Sequence, residues 1–280
     1  MPSHPPLIID SIHAAAKLLH DADGLLITAG AGMGVDSGLP DFRGNEGFWR
    51  AYPPLASAGI NFTEIANPAA FREAPSLAWG FYGHRLQLYR DTVPHEGFSI
   101  LLAIAERMDK GSFIFTSNVD GQFQKAGFNS ERIVECHGSI HHLQCVETCT
   151  YEIWSADDVV PVIDTANCQM ISELPHCPYC GQLARPNILM FNDTDWVPDR
   201  TDLQEDRLKS WLGTVKHPVV IEMGAGTNIP SVRRRGEALK VPLVRINPGV
   251  SEVGRATDIG LAMGALRGLR LIHAALIAGE

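Results

Sequence analysis

The 280-residue chain contains no apolar run long enough to cross a bilayer, no internal repeat, no low-complexity tract and no long block of like charge. Membrane-spanning, solenoid and disordered-linker readings are therefore set aside. The opening Met1-Pro2-Ser3-His4-Pro5-Pro6 does not read as the start of a signal peptide, so the expectation is a soluble, cytoplasmic protein. Positive charge is in deficit, with 23 Lys and Arg against 32 Asp and Glu and a formal net charge of −9. Holding nucleic acid by neutralising phosphates needs the opposite balance, so no nucleic-acid partner is expected. The acidic balance tolerates lysine-rich peptides, though solubility alone accounts for it. Cysteine is scarce at 6 residues. In a reducing compartment, close cysteine pairs favour metal ligation over disulfides.

What is present is an alternation of amphipathic helices and short buried-strand runs. A helix to Leu19, capped by Asp10 or Ser11, precedes the run Leu25 to Ala29. Further strands are expected at Ser112–Thr116, Arg132–Cys136, Ile188–Phe191, Pro218–Met223 and Val241–Ile246, with helices between them and a last helix from Met263 to Leu276. That alternation predicts an α/β fold with a doubly wound parallel sheet. Two stretches break it. Residues 48–90 are aromatic-rich and Pro-punctuated with short helical segments, and residues 143–186 carry cysteines and prolines but few apolar runs. The expected organisation is a Rossmann-type domain from 1–47, 91–142 and 187–280, with the two insertions forming a smaller domain.

In such folds ligands sit beyond the carboxyl ends of the strands, and the polar motifs fall there. Gly30-Ala31-Gly32-Met33-Gly34 follows the first strand and continues through Pro40-Asp41-Phe42-Arg43-Gly44. Without Cβ atoms at Gly30 and Gly32, the backbone can approach a nucleotide pyrophosphate, while Phe42 and Arg43 add an apolar face and a guanidinium. A glycine trio alone is equally a plain turn. Ser117-Asn118-Val119-Asp120 follows the second strand, His137-Gly138 the third, and Gly224-Ala225-Gly226-Thr227-Asn228 and Asn247 the later ones. Alone, each is as readily a loop residue. His137 titrates near neutrality and suits general-base work, although His141 and His142 share its intrinsic chemistry. Cys145, Cys149, Cys177 and Cys180 are two close pairs with the composition of a structural zinc site. Cys168 or His176 could replace one ligand.

Taken together, the GAGxGxxSGxPDFRG string, the Thr116-Ser117-Asn118-Val119-Asp120 segment, His137-Gly138, the cysteine pairs and Gly226-Thr227-Asn228 resemble the sirtuins, NAD-dependent protein lysine deacylases. The resemblance is to the bacterial type. It implies that NAD is bound by Gly30, Ala31, Gly32, Asp41, Phe42, Arg43, Ser117, Asn118, Val119, Asp120, Gly224, Gly226, Thr227, Asn228 and Asn247. It further implies that Asn118 orders the ribose and a water near the reacting carbon, and that Asp120 with Val119 grips nicotinamide. His137 would be the base acting through ribose hydroxyls, and one zinc ion would be structural. Acyl-lysine proteins or peptides would be the substrates.

Tyr82 and Arg85, one helical turn apart, resemble the Tyr-x-x-Arg pair that clamps the distal carboxylate of succinyl-type groups. A surface helix is the alternative. The chain departs from the family pattern at Gly34, Ser117 and Asn228. Gly34 and Ser117 suggest one rival to deacylation, ADP-ribosyl transfer or NAD hydrolysis; a non-catalytic NAD or ADP-ribose module is a second.

Overall fold

The computed structural model describes residues 8–41 and 44–279. The strand Gly24–Ala29 is buried at every position. This is the pattern of a central parallel strand covered on both faces, where backbone polar groups are satisfied by neighbours on either side. Its neighbours are Ser112–Thr116, with Leu26 opposite Phe113, and Pro218–Met223, with Leu26 opposite Val220. The six-stranded parallel sheet runs, edge to edge, Ile259–Leu261, Leu243–Ile246, Pro218–Met223, Gly24–Ala29, Ser112–Thr116, Ile133–Glu135. Side-chain alternation sends Leu25, Ile27 and Ala29 into one core with the helices Ile8–His20, Glu96–Ala105 and Ala265–Ala278. Leu26 enters the opposite core with Leu208, Trp211 and Val232 of the helices Asp199–Leu212 and Ser231–Ala238. From the first strand the chain builds outward to one side, then returns to build outward on the other. The switch point therefore lies between Gly24–Ala29 and Pro218–Met223, the crevice where such sheets bind ligands.

A third core joins the two insertions. Phe48, Phe71, Trp79, Phe81 and Tyr82 pack with Ile140, Leu143, Cys168 and Met170, and the Trp79 indole donates to the Ala184 carbonyl at 2.9 Å. Three expectations needed correction. Asp10 and Ser11 do not cap the first helix but lie within its first turns, since it already runs from Ile8. Ile188–Phe191 does not return to the parallel sheet; the strand there is Ala184–Ile188, paired antiparallel with Gly138–Cys145 in a separate three-stranded sheet. A short apolar run satisfies either sheet, and its partner is chosen by contacts about forty residues away in sequence. The strand Ile259–Leu261 was not expected, being only three residues long.

The small sheet carries a buried ion pair. Arg185 donates through Nη1 and Nη2 to the two carboxylate oxygens of Asp193, both at 2.8 Å, and neither side chain is exposed. Asp193 also accepts from the Met190 and Asp195 amides, so it closes the loop 189–195. Removing one partner strands a charge out of water. Asp193→Ala should cost about 3–5 kcal/mol of stability, read by urea denaturation; a loss under about 1 kcal/mol would contradict this role.

Candidate active site

The residues of the switch-point crevice are fastened to one another by backbone contacts. After Ala29 the chain turns through a short 3-10 segment, Ala31–Met33, and the Gly32 amide donates to the Gly224 carbonyl at 3.1 Å. A Cβ at Gly32 would stand 2.7 Å from the Gly224 Cα, and Gly224 itself has φ +60°. The space left by the missing side chains is thus filled first by the second Gly-rich loop, not by a ligand as the sequence alone suggested. Beyond this contact the loops open. Ala31, Gly226, Thr227 and Asn228 are exposed, and nothing lies within 4 Å of where a Gly226 Cβ would be. Two glycine-rich strand ends facing an open crevice fit a pyrophosphate.

Asn118 reaches across from the neighbouring strand end. Its Nδ2 donates to the Gly30 carbonyl at 3.0 Å, and its amide donates to Thr116 Oγ1. The half-buried side chain is therefore held beside Ala31. Asp120 is buried, and burial pushes its carboxyl up to about 6, aided by the nearby Glu135 and opposed by the Gln122 amide and the Arg85 guanidinium. Asn247 lies 2% exposed; its Nδ2 donates to the Ala225 carbonyl, and its Oδ1 accepts from the Gly249 and Val250 amides. It braces the Gly224–Asn228 loop from below. Asp41 is half-buried at the end of the glycine loop. Phe42 and Arg43 lie outside the described residues.

The structure separates the three histidines that looked alike in sequence. His137 sits half-buried at the strand end, near the Ser117 backbone, with its Nε2 3.5 Å from Ser231 Oγ. Burial lowers its pKa below 6.5, while the Ser117 contact pulls it back up. His141 is tied through Nε2 to the Asp120 carbonyl at 3.0 Å. His142 is pushed down to about 4 by burial and then by Arg200. Gly138 has φ +75°, and a side chain there would run into the Asn187 carbonyl, so the glycine serves the strand crossing beside His137. Cys136, adjacent to His137, is pushed up to about 12 by burial and stays a thiol.

Tyr82 and Arg85 are not on a surface helix. Both are buried in Pro75–Asp91, Tyr82 stacking on Phe71 with centroids 5.5 Å apart. Arg85 lies among the rings of Phe81, Tyr82 and Tyr89 and donates to the Tyr89 hydroxyl at 2.7 and 3.0 Å. The end of this helix is joined to the Asn118–Asp120 loop, since Gln122 Nε2 donates to the Tyr89 carbonyl. Some 30 residues separate this helix from that loop in sequence, yet Arg85 and Asp120 feel each other's charge.

Cys145, Cys149, Cys177 and Cys180 bring all four Sγ atoms within 4.8 Å of one another, with two pairs at 3.6 Å. A tetrahedron of thiolates about 2.3 Å from zinc has edges of about 3.8 Å, so the donors fit that ion. With four protein ligands no coordination position is left for catalysis. The alternative ligands fall away: Cys168 is buried in the insertion core, and His176 Nδ1 contacts the Gly181 carbonyl.

Comparison with known proteins agrees with this geometry. The sequence model of the Sir2 family matches residues 30–207, which contain the first glycine loop, Asn118, His137 and the four cysteines. The chain belongs to the Sir2 family. An NAD-dependent protein deacylase of Aquifex aeolicus is 28% identical over 251 residues, covering 89% of this chain and 93% of that protein. One from Pyrococcus furiosus is 33% identical over 178 residues, 64% of each chain. The solved structure of a Sir2 homolog–NAD complex superposes with a TM-score of 0.67 at 23% identity, covering 95% of this chain and 94% of that one. For this Sir2-family chain, reading the sequence alone missed Ser231. The signal was weak, a serine after Pro230 at a helix start, and its partner lies 94 residues away.

Proposed function

We propose that this Sir2-family protein removes acyl groups from protein lysines with NAD as co-substrate, yielding free lysine, nicotinamide and 2′-O-acyl-ADP-ribose. One observation carries the reading: Asn118, bonded to Gly30, and His137, beside Ser231, flank the crevice between the two glycine-rich loops. NAD, when bound, supplies a ribose carbon that accepts the acyl oxygen as nicotinamide leaves. Gly30, Ala31 and Gly32 would hold the pyrophosphate from one side, with Gly224, Gly226, Thr227 and Asn228 opposite. Asn118 would orient a ribose hydroxyl and a water, and Asp120 with Val119 and Ser117 the nicotinamide amide. Asp41, Phe42 and Arg43 would complete the nucleotide site and keep water out; Asn247 would hold the adenosine side. His137, neutral above its lowered pKa, would take a proton from a ribose hydroxyl.

The peptide would add as an extended strand between the NAD-binding part (1–47, 91–142, 187–280) and the small part (48–90 with 143–186). Reduced thiols at the cysteine cluster suit the cytoplasm. The reading includes neither nucleic-acid binding nor a membrane anchor; among the described residues no helix is long and apolar enough to cross a membrane.

Mass spectrometry of NAD incubated with acetyl- and succinyl-lysine peptides tests the proposal. The expected result is peptide-dependent formation of acyl-ADP-ribose. Nicotinamide release without peptide would replace this reading with ADP-ribosyl transfer or hydrolysis, and tight NAD binding without turnover with a binding module.

The buried Tyr82 and Arg85 support an acidic-acyl preference, because a carboxylate reaching them would gain a charge-assisted pair in a desolvated setting. The double variant Tyr82→Phe/Arg85→Met should lower the succinyl-to-acetyl rate ratio by about tenfold or more. The ratio is internal to one preparation, so partial misfolding cancels. An unchanged ratio would remove the clamp.

A further inference from the structure

We propose that His95 is a positioning residue for NAD: its neutral imidazole caps the helix Glu96–Ala105 through Nδ1, ties down the first glycine loop through Nε2, and thereby sets NAD affinity. This rests on the reading that NAD fills the crevice. The back of that loop, away from the crevice, carries the observations. Nδ1 of His95 accepts from the Gly97 amide at 2.9 Å, which makes His95 the N-cap of its helix. Nε2 lies 2.9 Å from the Met33 carbonyl, and the His95 amide donates to Ser37 Oγ at 2.9 Å. One residue thus grips the loop at two points. The Met33 and Gly34 amides in turn donate to the Gly30 and Ala31 carbonyls, so a shift at Met33 passes directly to the residues that would hold the pyrophosphate.

The partners decide which nitrogen carries the proton. A backbone amide can only donate and a carbonyl oxygen can only accept, so Nδ1 holds the lone pair and Nε2 donates its N–H to Met33. His95 is held as one neutral tautomer. A second proton would have to go on Nδ1, where it would face the Gly97 N–H and end the cap. The ring is also closely packed: a Cβ at Gly97 would stand 2.5 Å from His95 Cε1, and the Phe98 ring centroid lies 5.0 Å from that of His95. Burial accordingly holds the imidazole below its usual pKa, while the Met33 bond pulls it back up.

The charged groups facing the ring come from three elements. Glu96, on the same helix, pairs with Arg270 of the helix Ala265–Ala278, and Asp36, in the 3-10 segment Val35–Ser37, accepts from the Leu266 amide at 2.9 Å. Asp36 and Glu96 favour the imidazolium and Arg270 opposes it. Asp36 also holds the loop from behind, but histidine is the residue type whose charge changes closest to neutral pH.

Two substitutions separate the two sides of the ring, and both leave the backbone bond to Ser37 in place. His95→Asn keeps a cap, because asparagine is a strong N-cap residue, but it is too short to reach Met33 as well. His95→Gln keeps an uncharged N–H at about the reach of Nε2 and gives up the cap. In isothermal titration at about pH 7.5, His95→Asn should bind NAD about three- to tenfold more weakly, the loss of one hydrogen bond, with its melting temperature and its kcat at saturating NAD nearly unchanged. His95→Gln should show the reverse, NAD affinity within about twofold and a melting temperature about 2–4 °C lower. As pH falls from about 7.5 to about 5.5, the unmodified protein should lose NAD affinity more steeply than His95→Gln. ¹⁵N-edited NMR of histidine-labelled protein without NAD, with His95→Gln used to assign the signal, should show the Nε2–H tautomer of His95 alone at neutral pH. NAD binding by His95→Asn as tight as by the unmodified protein overturns the proposal, as do equal weakening by Asn and Gln, parallel pH profiles, a loss confined to kcat, or the other tautomer. If the unmodified protein does not bind NAD, the crevice reading fails and the positioning role with it, while the NMR tautomer and the melting difference still report the cap.

Discussion

His137→Ala should lower kcat/KM for an acetyl-lysine peptide by about 10²- to 10⁴-fold, the range a general base supplies. NAD affinity should stay within a few-fold, because in the proposed site the phosphates would lie against the two glycine loops and not against the imidazole. Nicotinamide release and isothermal titration measure the two halves. The pH dependence has a definite sign. The base works unprotonated, and burial holds its pKa below 6.5, so activity should be flat from about pH 7 to 8 and fall as pH drops through that lowered value. The companion His141→Ala should be milder, since His141 is occupied with the Asp120 carbonyl. A His137→Ala enzyme keeping more than a tenth of its activity would remove the acid–base role.

The second large effect concerns the four cysteines. Purified protein should carry one zinc per chain by metal analysis, and Cys177→Ser should lose it. Residues 143–186 have only short two-residue strands of their own besides the sheet edge they share, and Cys145 and Cys177 are buried while Cys149 and Cys180 are exposed. The metal therefore replaces a core that the module lacks. Loss of such an ion is among the few changes worth more than about 4–5 kcal/mol. That corresponds to a fall in Tm of about 10 °C or more. Because the module shares a core with the helix bearing Tyr82 and Arg85, activity toward peptide should fall as well. A metal-free variant with unchanged melting would contradict the scaffold role.

Most of the parallel sheet could be read from the chain itself. Leu25 to Ala29 and Pro218 to Met223 are short, largely apolar runs, interrupted only by Thr28 and Glu222, which suit a strand buried on both faces, and both lie where expected. Motifs at their ends followed from topology, since strands of one direction leave their carboxyl ends on one edge. The cysteine set was equally legible, because two close pairs leave few partners. What failed did so for one reason. Ile188–Phe191 looked like any buried strand, and only Gly138–Cys145, itself polar with His141 and His142, decides that Ala184–Ile188 pairs antiparallel outside the main sheet. For the helix Pro75–Asp91 a surface position was left open by the sequence, yet the cysteine module covers its outer face: the strand Gln169–Met170 packs on it, and Cys168 and Met170 join its core.

The chain by itself determined the alternating α/β order, the six parallel strands but one, the nucleotide-type loops and the metal ligands, because each is a local pattern of period, glycine or cysteine spacing. Tertiary structure alone decided that His141 is tied to the Asp120 carbonyl, that Gly32 and Gly224 make room for each other, and that Ser231 faces His137. Those depend on contacts between segments far apart in sequence, where burial and hydrogen bonding set a residue's role and composition carries no trace of the partner.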